Sequence, residues 1–351
     1  MKILKDHTPF VTESGFLFPE LEIAYKTWGR PNADHSNTVI VFHALTGHAV
    51  ADEWLNGFFG KGKLLDPEKH YIICSNVLGS CYGTTGPLSI NPATGQRYSG
   101  DFPQITIRDM VRVQQRLLDR LGITRIRFAL GASMGGMQAL EFGIMDQRVE
   151  KLVLIATGKA QSAWAIGIGE TQRNALSGDP KWRDGYYPLE DPPSDGLSNA
   201  RMIGMITYRS AASFERRFGR NLQPGQSCYQ VQSYLHYQGK KLVDRFDAVT
   251  YMRLTEALDT HDVSRGRGSF REVLSRLDIP VLVIGISSDV LYPAAEQREL
   301  AGLLPLGHYA ELESDNGHDA FLIEFEKIQQ LVRKEFPGLN DALPLAPTGT
   351  S

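Results

Sequence analysis

A serine stands among small residues in the run Gly131-Ala132-Ser133-Met134-Gly135-Gly136, directly after the apolar stretch IRFAL at 126–130. A serine hydroxyl is a weak nucleophile until a base takes its proton and a third group orients that base. The G-x-S-x-G spacing at a strand-to-helix junction suits this chemistry. It describes a turn too tight for side chains, with one hydroxyl pushed forward. The pattern also fixes the chain order of the partners: serine, then carboxylate, then histidine. Asp289 follows the apolar run at 280–286, and His318 follows YAELES at 309–314. Ser133, Asp289 and His318 are therefore the candidate nucleophile, orienting acid and base. Asp315 and Asp319 compete with Asp289 by position, and a loop aspartate is commonly a turn or cap residue. His43, His48 and His261 are alternative histidines, of which His43 reads as a support for the site rather than as its base.

Acyl transfer also needs two donors for the oxyanion of its tetrahedral intermediate. The amide of Met134, at the start of the helix after the serine, is one candidate. The pattern places the other in the loop after an earlier strand. That loop is HALTG at 43–47, and Leu45 is the candidate donor.

These groups need a frame that brings several strand ends together. Short, nearly continuous apolar runs occur at 38–45, 71–77, 126–133, 151–157 and 280–286, the signature of parallel strands buried on both faces. Helical spacing intervenes, as in IRDMVRVQQRLLDRLG at 107–122. The segment FLFPELEIAYKTWGRP reads as antiparallel strands. Between about 160 and 275 the strand rhythm gives way to polar, helix-like stretches. The prediction is an α/β-hydrolase fold: a mostly parallel sheet with helices on both faces, core segments 1–159 and 276–337, and a helical lid insertion at 160–275. Residues 338–351 read as a loose tail.

Composition narrows the function further. The 351 residues carry a net charge of −3, which supplies no basic field for nucleic acid or an anionic membrane. Cys74, Cys81 and Cys228 form no CxxC pair, which argues against a metal site or disulfide framework. Neither a signal-peptide pattern nor an 18-residue apolar span occurs, so a cytoplasmic location is expected.

The motifs HALTG, SNVLGSCYGTTGPLSINPATG, DFPQITIRDMV, GASMGGMQALEF, ITYRS and GHDAF run collinearly from about Tyr25 to beyond His318. Together they resemble the homoserine O-acyltransferase family of methionine biosynthesis. The resemblance implies ping-pong transfer. Ser133 is acylated by an acyl-CoA, usually acetyl-CoA, and the hydroxyl of L-homoserine then takes the acyl group. It further implies that Arg209 in ITYRS binds the substrate carboxylate and Asp319 the amino end, with Thr46 and Tyr234 as further contacts. Acetyl-CoA would be a substrate, with no permanently bound cofactor and no metal. A homodimer through the insertion would be the assembly. The segment GFFGKGKLLDPEKHY resembles a subset of the family, which leaves the acyl donor open; one pocket residue could switch the substrates, so succinyl-CoA as donor and serine as acceptor are alternatives. A serine esterase is the reading from another class; Arg209 and SNVLGSCYGTTGP speak against it.

Overall fold

The computed structural model describes residues 1–339. Its strands are β1 (Lys2–Asp6), β2 (Phe10–Val11), β3 (Leu17–Phe18), β4 (Leu21–Trp28), β5 (Thr38–Phe42), β6 (Tyr71–Ser75), β7 (Phe128–Ala132), β8 (Leu152–Ile155), β9 (Val281–Ile286) and β10 (Gly307–Leu312). One sheet has the order β1-β4-β6-β5-β7-β8-β9-β10, and β2 pairs with β3 apart from it. From β6 to β10 every pairing is parallel; β4 joins β6 and β1 antiparallel. The terminal strand β1 adds an edge that the apolar runs did not reveal, because its side chains are mostly exposed.

The inner strands are apolar on both faces because both faces are covered. In β5, Ile40 and Phe42 join one apolar cluster, while Val39 and Val41 join the other. The same period-two alternation sends Val281 and Val283 to one side of β9 and Leu282, Ile284 and Ile286 to the other.

Helices follow in chain order: α1 (Ala51–Trp54), α2 (Ile107–Arg120), α3 (Met134–Met145), α4 (Ala163–Ser177), α5 (Ser194–Tyr208), α6 (Ala211–Phe218), α7 (Gln230–Val243), α8 (Ala248–Asp259), α9 (Phe270–Leu274), α10 (Ala294–Leu303) and α11 (Phe325–Glu335). Helix α2 begins at a capping box, Thr106 and Asp109 each bonding the other's backbone amide, which satisfies two otherwise orphan donors. It packs with α3 against one cluster, and Ile328 and Val332 of α11 cover the other. Helices α4 to α9 fall within 160–275. Gly338 and Leu339 are docked, their carbonyls accepting from Arg127 at 2.7 and 2.9 Å; residues 340–351 of the expected tail lie outside the described residues. Among the described residues no helix is long and apolar enough to cross a membrane.

A buried ionic cluster ties the segment returning from the lid helices to the helix behind the serine. Glu141 of α3, 1% exposed in its side chain, pairs with Arg108 at 3.1 Å and Arg267 at 2.6 Å. The Arg108 guanidinium also donates to the Asp262 carbonyl at 2.9 Å. Removing one member of such a cluster leaves uncompensated buried charge, typically costing about 3–5 kcal/mol. Glu141→Leu is therefore expected to lower unfolding stability by about that amount, read from the urea midpoint. An unchanged midpoint would show that the cluster contributes no net stability.

Candidate active site

Ser133 occupies the junction of β7 and α3 with φ 56° and ψ −127°, a conformation costing a non-glycine residue on the order of 1–3 kcal/mol. Its neighbours hold it there. The Ser133 amide donates to the Ile155 carbonyl at 3.0 Å, and its carbonyl accepts from the Thr157 hydroxyl at 3.0 Å. The small residues around it are a packing requirement. A Cβ on Gly131 would lie 2.0 Å from the Gly135 carbonyl oxygen, and one on Gly135 2.2 Å from the Phe42 oxygen.

That close approach presses the start of α3 against the end of β5, where the HALTG loop begins. Gln138 joins the two, its side-chain amide donating to the carbonyls of His43 at 3.1 Å and Met134 at 3.2 Å. Gln114 in turn donates to the Gln138 side-chain oxygen at 2.7 Å. Buried His43 donates from Nδ1 to the Ala44 carbonyl at 2.8 Å and accepts the Val77 amide at Nε2, 3.2 Å away. Burial pushes its pKa down to about 4, so the ring is neutral and its bonds shape the loop. Among the described residues no hydrogen bond occupies the amides of Leu45 or Met134. Both residues are buried; the Met134 amide stands at the head of α3 and the Leu45 amide in the loop after β5, and free amides of this kind can stabilise an oxyanion.

Asp289 and His318 stand beyond the ends of β9 and β10. Nδ1 of His318 donates to Asp289 Oδ2 at 2.7 Å, and both residues are buried. The other carboxylate oxygen accepts the amides of Leu291 at 2.9 Å and Tyr292 at 3.0 Å. This fixes the tautomer, because a proton on Nδ1 leaves Nε2 as the acceptor. Ser288 locks the two loops together, donating to the Ser314 carbonyl and accepting the Gly317 amide at 3.0 Å. The rings of Tyr208, Tyr292 and Phe321 surround His318 at 5.8, 5.4 and 5.4 Å between centroids. Burial alone would push the imidazole pKa down. The charge of Asp289, its hydrogen bond and the charge of Asp319 outweigh burial and raise it.

Of the competing residues, Asp319 adjoins His318 but pairs with Arg209, and the others are engaged apart from it. Asp315 pairs with Arg216 at 2.7 Å on the surface. His48 lies 3.6 Å from Glu53, and His261 donates to the Gly158 carbonyl at 2.9 Å.

Arg209, just beyond α5, reaches the same pocket from the lid side. Its Nε lies 3.2 Å from Asp319 Oδ2, without an aligned hydrogen bond. A Cβ on Gly317, which has φ +65°, would lie 2.6 Å from the Arg209 carbonyl carbon. The Ser210 hydroxyl also donates to the Asp315 carbonyl. The arginine is thus held against the histidine's own loop. Burial raises the Asp319 pKa, with Arg209, Arg201 and His318 opposing the rise. Thr46 engages through its carbonyl, which accepts from Arg245 at 2.8 Å; the same guanidinium group donates to the Tyr82 hydroxyl at 2.6 Å. Tyr234 packs against Phe218 at 5.0 Å, with the Arg217 guanidinium 4.7 Å above its ring, and shares a small cleft with Arg209. Sequence reading missed Gln138, Arg245 and the aromatic wall. Gln138 left one trace, a polar residue within the otherwise apolar GMQAL.

Comparison with known proteins agrees with this architecture. A family model described as the alpha/beta hydrolase fold matches residues 37–325. The chain is 54% identical over 327 residues to the homoserine O-acetyltransferase of Chlorobium chlorochromatii (strain CaD3), covering 92% of each chain. The crystal structure of homoserine O-acetyltransferase from Bacillus anthracis superposes with a TM-score of 0.87 at 26% identity, covering 98% of this chain and 99% of that one. Esterase E22 superposes with the same TM-score, 0.87, at 23% identity, covering 95% and 98%. That likeness speaks for the fold alone.

A base acting through Nε2 must be neutral, so activity is expected to fall as pH drops through the raised His318 pKa. The acid limb of kcat/KM should lie above the ordinary imidazole value of about 6.5. Asp289→Asn should move that limb down and lower kcat by on the order of 10⁴. A limb that stays in place in that variant would separate it from His318.

Proposed function

We propose a function from one premise: the chain belongs to the homoserine O-acetyltransferase family, on the α/β-hydrolase fold. The proposed reaction moves an acetyl group from acetyl-CoA to the side-chain hydroxyl of L-homoserine, a step of methionine biosynthesis. Ser133 Oγ attacks the thioester carbon while His318 Nε2 takes its proton. The amides of Leu45 and Met134 hold the oxyanion. The carbon–sulfur bond breaks, and coenzyme A leaves as the thiol with the proton from His318. The homoserine hydroxyl then attacks the acetyl-serine, giving its proton to His318. The serine oxygen leaves and recovers that proton. In this reading Arg209 receives the acceptor carboxylate and Asp319 its ammonium group, while Thr46 and Tyr234 border the substrate path. No permanently bound cofactor or metal takes part.

One observation carries the acceptor assignment. A lid arginine and an aspartate form a charge pair next to the base, with the Arg209 Nε left without an aligned partner. Such a pair suits a zwitterion that brings its own carboxylate and ammonium. A groove of about 380 Å³, lined by Cys81, Tyr187, Arg245 and Asp247 among others, adjoins the oxyanion loop through Arg245. It is the proposed approach for the coenzyme A arm. A homodimer through the lid and a cytoplasmic location complete the proposal. Trp164, Ile206 and Tyr237 on lid helices are 58%, 56% and 61% exposed, apolar surface of the kind a partner covers.

Thiol release from acetyl-CoA or succinyl-CoA, each with L-homoserine, L-serine or no acceptor, tests the reading. Homoserine-dependent release from acetyl-CoA is expected, and Ser133→Ala should abolish it without loss of fold. Arg209→Ala should impair the homoserine step far more than the acylation burst. A preference for succinyl-CoA or serine would redirect the substrate assignment. Release indifferent to any acceptor would identify a hydrolase.

A further inference from the structure

Arg201 lies on α5 seven residues before Tyr208, two helical turns along one face. Its guanidinium carbon sits 5.3 Å from the centre of the Tyr208 ring, the same ring that stands 5.8 Å from His318. Gly204 leaves room for that ring to fold back along the helix: a Cβ there would lie 3.2 Å from two Tyr208 ring carbons. The arginine is partly buried. Among the described residues, its guanidinium makes no hydrogen bond and no ion pair within 4.0 Å. Its fork of five donors is therefore open to an arriving anion. The other cation of this pocket is already engaged, because Arg209 lies against Asp319. A carboxylate arriving at Arg209 would therefore also meet the negative charge of Asp319, and a second cation would offset that repulsion.

We propose that Arg201 is a second recognition arginine of the acceptor pocket, binding the acceptor's α-carboxylate together with Arg209. The inference rests on the reading of the acceptor as an amino acid alcohol. The charge of Arg201 reaches this end of the pocket: burial raises the Asp319 carboxyl pKa, and Arg201 is among the cations that oppose the rise. In this arrangement Asp319 takes the ammonium group, the two arginines take the carboxylate, and the hydroxyl is left facing His318.

The test compares two acceptors in the full-length enzyme, with acetyl-CoA as donor. L-Homoserine carries the carboxylate; 3-aminopropan-1-ol has the same amine and hydroxyl without it. Arg201→Gln should lower kcat/KM for L-homoserine by about 10- to 100-fold, mainly through KM, the range expected for one lost charge-assisted bond. Its kcat/KM for 3-aminopropan-1-ol and the acylation burst should match the wild type. Arg201→Lys should recover part of the homoserine loss and, with thermal melting of both variants, separates recognition from folding. A parallel fall for both acceptors would overturn the proposal in favour of a role through Asp319 or lid packing. An unchanged KM for homoserine would overturn it outright. If the wild type releases no thiol in response to homoserine, the acceptor reading itself fails and this inference falls with it.

Discussion

The left-handed backbone of Ser133 is the constraint on which the rest of the architecture turns. A non-glycine residue does not rest at φ 56° unless its surroundings hold it there. They do so through the strand on each side of β7. Residue 135 presses on the end of β5, and hydrogen bonds reach across to Ile155 and Thr157 at the end of β8. The same parallel order carries Asp289 and His318 out on β9 and β10. One sheet edge therefore holds the strained serine and gathers the groups around it, as expected where parallel strands end together.

The second dependence runs between base and lid. Gly317 has no side chain, and the Arg209 backbone fills the space a Cβ would need. Any shift of the His318 loop therefore moves the end of α5. On the proposed reading, this couples the acceptor's anchor to the base that deprotonates it. The esterase with the same overall shape shows why the point matters. The fold and a serine elbow serve hydrolysis equally well, so the choice of acceptor must lie in groups added around the base.

Much of this was legible in the sequence because each signal had a local cause. Buried strands declared themselves by continuous apolar runs, and the elbow by glycines whose absent side chains the packing demands. Chain order then selected Asp289 and His318, and the structure joins them at 2.7 Å. It leaves Asp315 on the surface with Arg216. Other features were illegible for a physical reason. Gln138 matters through two carbonyls that only the tertiary approach of α3 and β5 brings within reach. Arg245 acts on the Thr46 backbone from 199 positions away. The edge strand β1, mostly exposed, leaves no apolar run to find.

The surroundings of His318 bear on how transfer competes with hydrolysis. The residue is 3% exposed, and its ring is enclosed by Tyr208, Tyr292 and Phe321. Water has little room there. Exclusion alone would depress the imidazole pKa and weaken the base. Asp289 reverses that, keeping the ring basic while it stays buried. A dry, basic histidine favours an acceptor held by groups outside its immediate reach over a water molecule that must be ordered on its own. The charge pair of Arg209 and Asp319 stands where such holding is needed. The aromatic wall thus does more than fill space: Tyr208, the last residue of α5, packs beside His318 and directly precedes Arg209, so one helix end supplies both a wall of the base and the lid arginine.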